Sequence, residues 1–220
     1  MLNIKISDDV AVIHLDDGKA NAVGHDFING LNEGLDRATA DAKAVLIAGR
    51  TGVFSAGFDL KEFDKGPAAT TALVNAGANL LLRVFSHPQP VVAACAGHAV
   101  AAGALLLLAC DTRIGAQGDF RIGLNETAIG MSLPVFGLQL GAARLSKRYQ
   151  TNAVIQAQLF APRDARAAGY LDEVVDQSDL MNAALEGASQ LAKLPAHAYA
   201  ANKLGMRATY IDAIRASLSA

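Results

Sequence analysis

Short apolar runs and longer amphipathic stretches succeed one another along the chain. Leu2 to Ser7 and Val10 to Leu15 read as two strands joined by a tight turn at Asp8-Asp9. A polar loop follows, DDGKANAVG, and then a helix from about His25 to Thr39 with Phe27, Ile28, Leu31 and Leu35 on one stripe. Ala44 to Ala48, AVLIA, is a short unbroken apolar run, the pattern of a strand buried on both faces. Hairpin, helix and parallel-type strand in that order predict an α/β fold. Gly66 to Thr71 reads as a mobile connection, and Ala72 to Ser86 as a helix ended by Pro88 and Pro90.

The longest uncharged stretch, Pro90 to Asp111, is apolar enough to suggest a membrane span. Its pattern is broken, which argues against one. Val91 to Ala94 is short and strand-like, Gly97 and His98 interrupt it, and Ala104 to Cys110 reads as a helix apolar on all sides. A strand, a turn of small residues and a buried helix form the order expected where N–H groups at a helix start face a ligand. Asp111 closes that helix, where a negative charge is unfavourable to the dipole; a structural role holding nearby backbone N–H groups is expected. Thr112 to Ile114 reads as a strand.

Beyond Gly137 the chain turns helical. RLSKRYQTNAVIQAQLF (144–160) has the pattern of an amphipathic helix. Pro162 to Ala168 begins another, ended by Gly169, and YLDEVVD is a short strand-like return. Leu180 to Leu194 and Ala196 to Ser217 read as alanine-rich helices. The division expected is an α/β core over residues 1–160 and a helical part over 161–220.

Composition narrows the classes. With 18% charged residues against 52% hydrophobic ones, much of the surface must be covered, within the fold or by other subunits. A net charge of −2 without a basic run indicates no nucleic-acid surface. The N-terminal residues lack the basic start and apolar core of a signal peptide. Cys95 and Cys110 both lie in the apolar stretch, where buried free thiols and a reducing cytoplasm are expected. No CxxC or HExxH spacing points to a metal.

Two loops and one acid are the candidate chemistry. In GRTGVFSAGFDLKEFD (49–64), Gly57 leaves the N–H of Phe58 free to point into a cavity; an ordinary loop–helix junction capped by Asp59 fits the local pattern as well. Glu126 lies among Leu124, Ala128, Ile129 and Met131. It is either a partly buried carboxylate able to exchange protons near neutrality, or a surface residue in a first helical turn with Asn125 as cap.

Taken together, FSAGFDLKEF (54–63), AGHAVAAGALLLLACDTRI (96–114) and LNETAIG (124–130) resemble the crotonase superfamily, the enoyl-CoA hydratases and isomerases, over nearly the whole chain. The resemblance implies a spiral of ββα units with a helical C-terminal region that helps build trimers. It implies an acyl-CoA substrate with no separate cofactor, a homotrimer or dimer of trimers, and no membrane insertion. The thioester oxygen would sit between the backbone N–H groups of Phe58 and Ala102. Family members usually carry three glycines where this chain has Ala101-Ala102-Gly103, and an alanine keeps the donor only if its φ stays negative.

Hydratases of the family use two glutamates. The first position corresponds here to Leu105, which carries no proton, and the second to Glu126. Hydration needs a water held and activated while C2 is protonated, whereas a 1,3-proton shift needs one base. The resemblance therefore implies a Δ3-Δ2-enoyl-CoA isomerase, with a hydratase, another acyl-CoA enzyme or a non-catalytic acyl-CoA-binding module as alternatives. Lys19, Ala20 and Ala22 correspond to the loop that meets the nucleotide. Ala56, Asp59 and Leu60 lie by the oxyanion loop and adenine region. His98 is a packed histidine or a substrate contact, and Phe63, Leu73, Leu133 and Phe136 are core residues or acyl-pocket walls. The chain ends at Ala220, a few helical turns short of the usual member, so a more open CoA site is expected.

Overall fold

The computed structural model describes residues 2–218. A hairpin opens the chain, β1 (Asn3–Ser7) and β2 (Val10–Leu15). Asp8 and Asp9 both take left-handed φ, 49° and 65°, the backbone a two-residue hairpin turn demands. Helix α1 (His25–Asp41) leads to β3 (Ala44–Gly49) and β4 (Gly52–Ser55), then α2 (Leu60–Phe63) and α3 (Pro67–Phe85). Next come β5 (Val91–Cys95), β6 (Gly97–Val100), α4 (Ala102–Ala109), β7 (Thr112–Ala116) and β8 (Ile122–Gly123). The remaining elements are α5 (Val135–Arg144), α6 (Pro162–Ala168), β9 (Glu173–Val175), α7 (Leu180–Leu191) and α8 (Ala196–Leu218).

The strands make two sheets, β1-β2-β3-β5-β7-β9 and β4-β6-β8. Apart from the β1–β2 hairpin, all the pairs are parallel. Each successive pair, β3 and β4, β5 and β6, β7 and β8, gives one strand to each sheet. That repeat is the spiral of ββα turns expected, with helices closing the first two turns.

The unbroken apolar runs follow from burial on both faces of the larger sheet. Val45, Ile47, Val91, Ala93 and Cys95 share one core cluster with side chains of α1, α3 and α4. The alternate residues Ala44, Leu46, Ala48, Val92 and Ala94 pack with Leu180, Ala184 and Ala188 of α7. Because successive strand side chains point to opposite faces, neither face tolerates a polar residue. The C-terminal part thus supplies both a cover for the sheet through α7 and an edge strand through β9. All eight residues of α4 are buried, which accounts for its lack of a polar face. Helix α3 is long and apolar enough to cross a membrane by length and composition; here its Leu73, Leu80, Leu81, Val84 and Phe85 lie in the core.

Several sequence expectations are corrected. Residues 67–71 are the first turn of α3, with Pro67 at its start, rather than a mobile connection. Gly97 and His98 do not interrupt regular structure: they begin β6, where a Cβ on Gly97 would lie 1.9 Å from the Gly52 carbonyl carbon. The stretch 144–160 is not one helix. Helix α5 ends at Arg144, one π-type turn spans Thr151–Ile155, and Phe160 pairs with Ile122 through two backbone bonds of 2.9 and 3.0 Å. An interior helix there would forgo that pairing, which fixes the edge of the smaller sheet.

Asp111 does hold a backbone amide, that of Val91 at 2.7 Å. It also pairs with Lys203 (2.6 Å) and Arg207 (2.9 Å) of α8, all three side chains being 10% exposed or less. The two cations further bond the His87, Gln89 and Phe85 carbonyls, so one carboxylate fixes α8 across the ends of α3 and α4.

Candidate active site

The turn between β4 and α2 brings Phe58 to the site. Val23 and Phe58 form a parallel bridge: the Val23 amide donates to the Gly57 carbonyl (2.8 Å) and the Asp59 amide to the Val23 carbonyl (3.2 Å). Those bonds use the groups flanking Phe58, so its own N–H is aimed away from the ladder. Among the described residues it donates to no protein acceptor. Gly57 makes this possible at φ 97°, and a Cβ there would lie 3.0 Å from the Ala101 Cβ and 3.5 Å from the Ala102 nitrogen. The two loops are therefore in contact through main chain.

Ala102 is the first residue of α4, and its N–H is one of the unpaired donors every helix start leaves. The residue whose φ turns positive is its neighbour Ala101, at φ 51° and ψ −124°. The strain of replacing a glycine thus falls on Ala101 and leaves Ala102 in helical backbone. Close approach is secured by Gly103, where a Cβ would meet the Ser55 carbonyl oxygen at 2.2 Å. Phe58 and Ala102 border one apolar hollow with Val23, Phe27, Gly77 and Leu106.

Glu126 follows β8 and precedes a 3₁₀ turn over Thr127–Ile129. It is 9% exposed. Among the described residues its buried Oε2 has no partner. Burial raises its pKa, opposed by the backbone amides of Glu126 and Asn125. Of the two local readings, the buried carboxylate is the one found. The Ile129 and Met131 amides close the turn on the Glu126 carbonyl, at 3.1 and 2.9 Å. Leu105 is 1% exposed in α4.

The remaining candidates divide. Lys19, Ala20, Ala22 and Asp59 line one surface cleft of about 470 Å³, together with Asp17, Asp26, Lys61 and Glu62. Ala56 is tied to the cleft wall, its amide donating to the Ala20 carbonyl at 3.0 Å. Leu60 is 64% exposed at the start of α2 and lies outside the cleft lining. Asp59 also caps α2, accepting from the Lys61 amide at 3.1 Å. His98 is exposed yet packs edge-on against the Phe120 ring, centroids 5.8 Å apart, with its Nδ1 accepting from the Arg121 amide. Leu73 and Phe136 are buried in the core, and Phe63 and Leu133 pack partly buried against it.

Sequence reasoning missed Asn21. It is fully buried with φ 50°. Its Nδ2 bonds the Leu15 and Phe54 carbonyls (2.8 and 3.1 Å), and its own carbonyl accepts from Ser55 Oγ (2.7 Å). It pins the loop carrying Lys19, Ala20 and Ala22 to the end of β4. An asparagine in a Gly- and Ala-rich loop, able to take left-handed backbone, was the available signal.

Phe58 and Ala102 share one apolar hollow, and the Ala101 amide bonds the Gly123 carbonyl, three residues before the desolvated Glu126; unpaired main-chain donors and a carboxyl of raised pKa are the groups a carbonyl acid–base chemistry uses. The enoyl-CoA hydratase/isomerase profile matches residues 5–220, and this chain belongs to that family, the crotonase superfamily. It is 32% identical over 203 residues to the human mitochondrial enoyl-CoA delta isomerase 1, covering 90% of this chain and 67% of that protein. It is 33% identical over 159 residues to a probable enoyl-CoA hydratase of Bacillus subtilis, covering 70% of this chain and 60% of that one. The crystal structure of an enoyl-CoA hydratase/isomerase family protein from Pseudomonas syringae superposes with a TM-score of 0.96 at 42% identity, over 99% of this chain and 95% of the other.

Proposed function

We propose that this protein is a Δ3-Δ2-enoyl-CoA isomerase that uses Glu126 as its only acid–base group. The observation carrying the proposal is the desolvated Glu126 carboxylate, with the buried, proton-free Leu105 at the position of the family's other glutamate. Glu126 takes a proton from C2 of a 3-enoyl thioester. The C–H electron pair moves into the C1–C2 bond, and the displaced carbonyl pair gathers as charge on the thioester oxygen; when C4 is protonated the carbonyl re-forms and the C1–C2 pair shifts into C2–C3. The N–H groups of Phe58 and Ala102 hold that oxygen, a donor of this kind being worth roughly 3 kcal/mol of barrier. Glu126 then returns the proton to C4, leaving the double bond between C2 and C3. No metal or redox group takes part in such a transfer.

The cleft that Lys19, Ala20, Ala22 and Asp59 line together supports a seat there for the nucleotide part of the substrate. The exposed apolar residues Ile129, Met131, Val135, Leu138 and Met206 support assembly as a homotrimer or dimer of trimers. The free buried thiols of Cys95 and Cys110, their pKa values pushed by burial up to about 12, support a reducing, cytoplasmic setting.

The test is to add pure protein to 3-hexenoyl-CoA and follow the absorbance of the conjugated thioester, with Glu126→Gln as control. A gain that the control lacks supports the isomerase. Loss of crotonyl-CoA absorbance without isomerisation replaces it with a hydratase. Calorimetric binding of the thioester without turnover of either compound would make the chain a binding module.

A further inference from the structure

Past the C-terminal end of α4, one carboxylate faces three cations. Asp111 pairs with Lys203 at 2.6 Å and Arg207 at 2.9 Å, and Arg144 of α5 donates to its carbonyl at 2.8 Å. All four residues line one cavity of about 310 Å³, walled also by Phe85, Tyr199 and Asn202. Ala102, with its oxyanion donor, stands at the other end of α4, so this cavity is separate from the candidate active site.

The donors there are not used up. Lys203 gives its three to Asp111 and to the His87 and Gln89 carbonyls. Arg207 bonds the Phe85 carbonyl and Asp111, which leaves part of its guanidinium fork unused. Arg144 bonds the protein only through Nη2, to the Cys110 and Asp111 carbonyls, and its buried Nε has no partner among the described residues. The charges do not balance either. Carbonyls at the ends of α3 and α4 attract the cations, but a helix end supplies only roughly half a charge. With Asp111 they fall short of three cations, and Arg113 nearby is already matched by Asp172. Burial, with Arg113 and Arg207 adding, lowers the Arg144 pKa to about 10. Burial also lowers that of Lys203, opposed by Asp111. Both are the shifts of cations short of an anion. Arg207 is held over the Phe85 ring, 4.3 Å from its centroid, so its donors are fixed before any ligand arrives.

We propose that this cavity is a binding site for a phosphate group, held by the unused donors of Arg144 and Arg207 and by the charge of Lys203. A phosphate suits it better than a carboxylate, since its extra oxygen and charge serve two guanidinium groups at once. Bound there, it ties α5 to α8 and steadies the C-terminal helix.

The test is calorimetric titration of the whole protein with inorganic phosphate, against chloride at matched ionic strength. Phosphate should bind and Arg144→Gln should weaken it about tenfold or more, the worth of one hydrogen bond to a charged group. Asn202 is exposed in the cavity lining. Asn202→Asp therefore leaves the packing alone and adds a repelling charge, which should weaken phosphate about threefold or more; it decides the matter if Arg144→Gln does not fold. Hydrogen exchange should slow in α8 and at the end of α5 when phosphate is added. Phenyl phosphate separates two sources. Tighter binding than inorganic phosphate assigns the site to a phosphate monoester, and equal binding assigns it to the free ion; either supports the proposal. No binding beyond matched chloride overturns it. So does phosphate affinity unchanged in the folded variants, protection confined to the Lys19 cleft, or acetate binding as tightly as phosphate.

Discussion

The amide of Ala101 donates to the carbonyl of Gly123 over 3.0 Å. That bond ties the turn before the Ala102 donor to the strand that ends three residues short of Glu126. The donor and the acid come from separate turns of the spiral, and their spacing is set where β6 and β8 pair rather than by either loop alone.

Ala101 carries the strain of this arrangement. A side chain at φ 51° and ψ −124° is unfavourable, and glycine there removes the crowding. Ala101→Gly should raise stability by about 1 kcal/mol, seen as a higher urea midpoint at unchanged slope, with the Gly123 bond and the Ala102 donor retained.

Gly103 has no such latitude. Gly103→Ala puts a methyl group against the Ser55 carbonyl, 2.2 Å away before relaxation, and pushes α4 from β4. A loss of about 3 kcal/mol is expected. Calorimetry should show the fall in Tm, and any remaining folded protein should turn over more slowly because both amide donors are displaced.

Asp111→Asn strands two buried cations. Lys203 and Arg207 lose their counter-charge while staying 10% exposed or less, which typically costs about 3–5 kcal/mol. Hydrogen exchange should locate the first loosening in α8, ahead of the strands.

His87 makes the fold acid-sensitive. It is 3% exposed, and burial, with Lys203 and Arg83 nearby, lowers its pKa from 6.5 to about 4. The unfolded chain binds the proton first, so this contribution is complete above about pH 6.5 and is lost as the pH falls towards 4. The full window corresponds to about 3 kcal/mol. Melting temperatures across that range should decline in the parent and be flatter in His87→Gln; parallel curves would assign the acid lability elsewhere.

The larger sheet was legible because each strand is an apolar run with a boundary: AVLIA and VVAAC can hardly be anything else once both faces are covered. Phe58, Ala102 and Glu126 were singled out only by three stretches taken together through the family resemblance, since each stretch alone fits an ordinary loop, helix start or surface acid equally well. The smaller sheet was not. Its strands have two to four residues, and Gly97 looks like an interruption until one sees that the Gly52 backbone occupies the space of its side chain. The stretch 144–160 has helical periodicity, but Phe160 is claimed by Ile122, a partner 38 positions earlier that no local window contains. Asp111 shows the same limit, its two cations lying some 90 residues downstream.

The cleft beside Phe58 has a further consequence. Four carboxylates, Asp17, Asp26, Asp59 and Glu62, line it with two lysines, while Lys65 is held on Glu62 at 2.6 Å and Arg50 reaches the Lys19 carbonyl and Asp16. Charges of both signs so nearly cancel there that the long-range field is weak. Ionic strength should therefore change the rate of encounter with an anionic ligand only slightly.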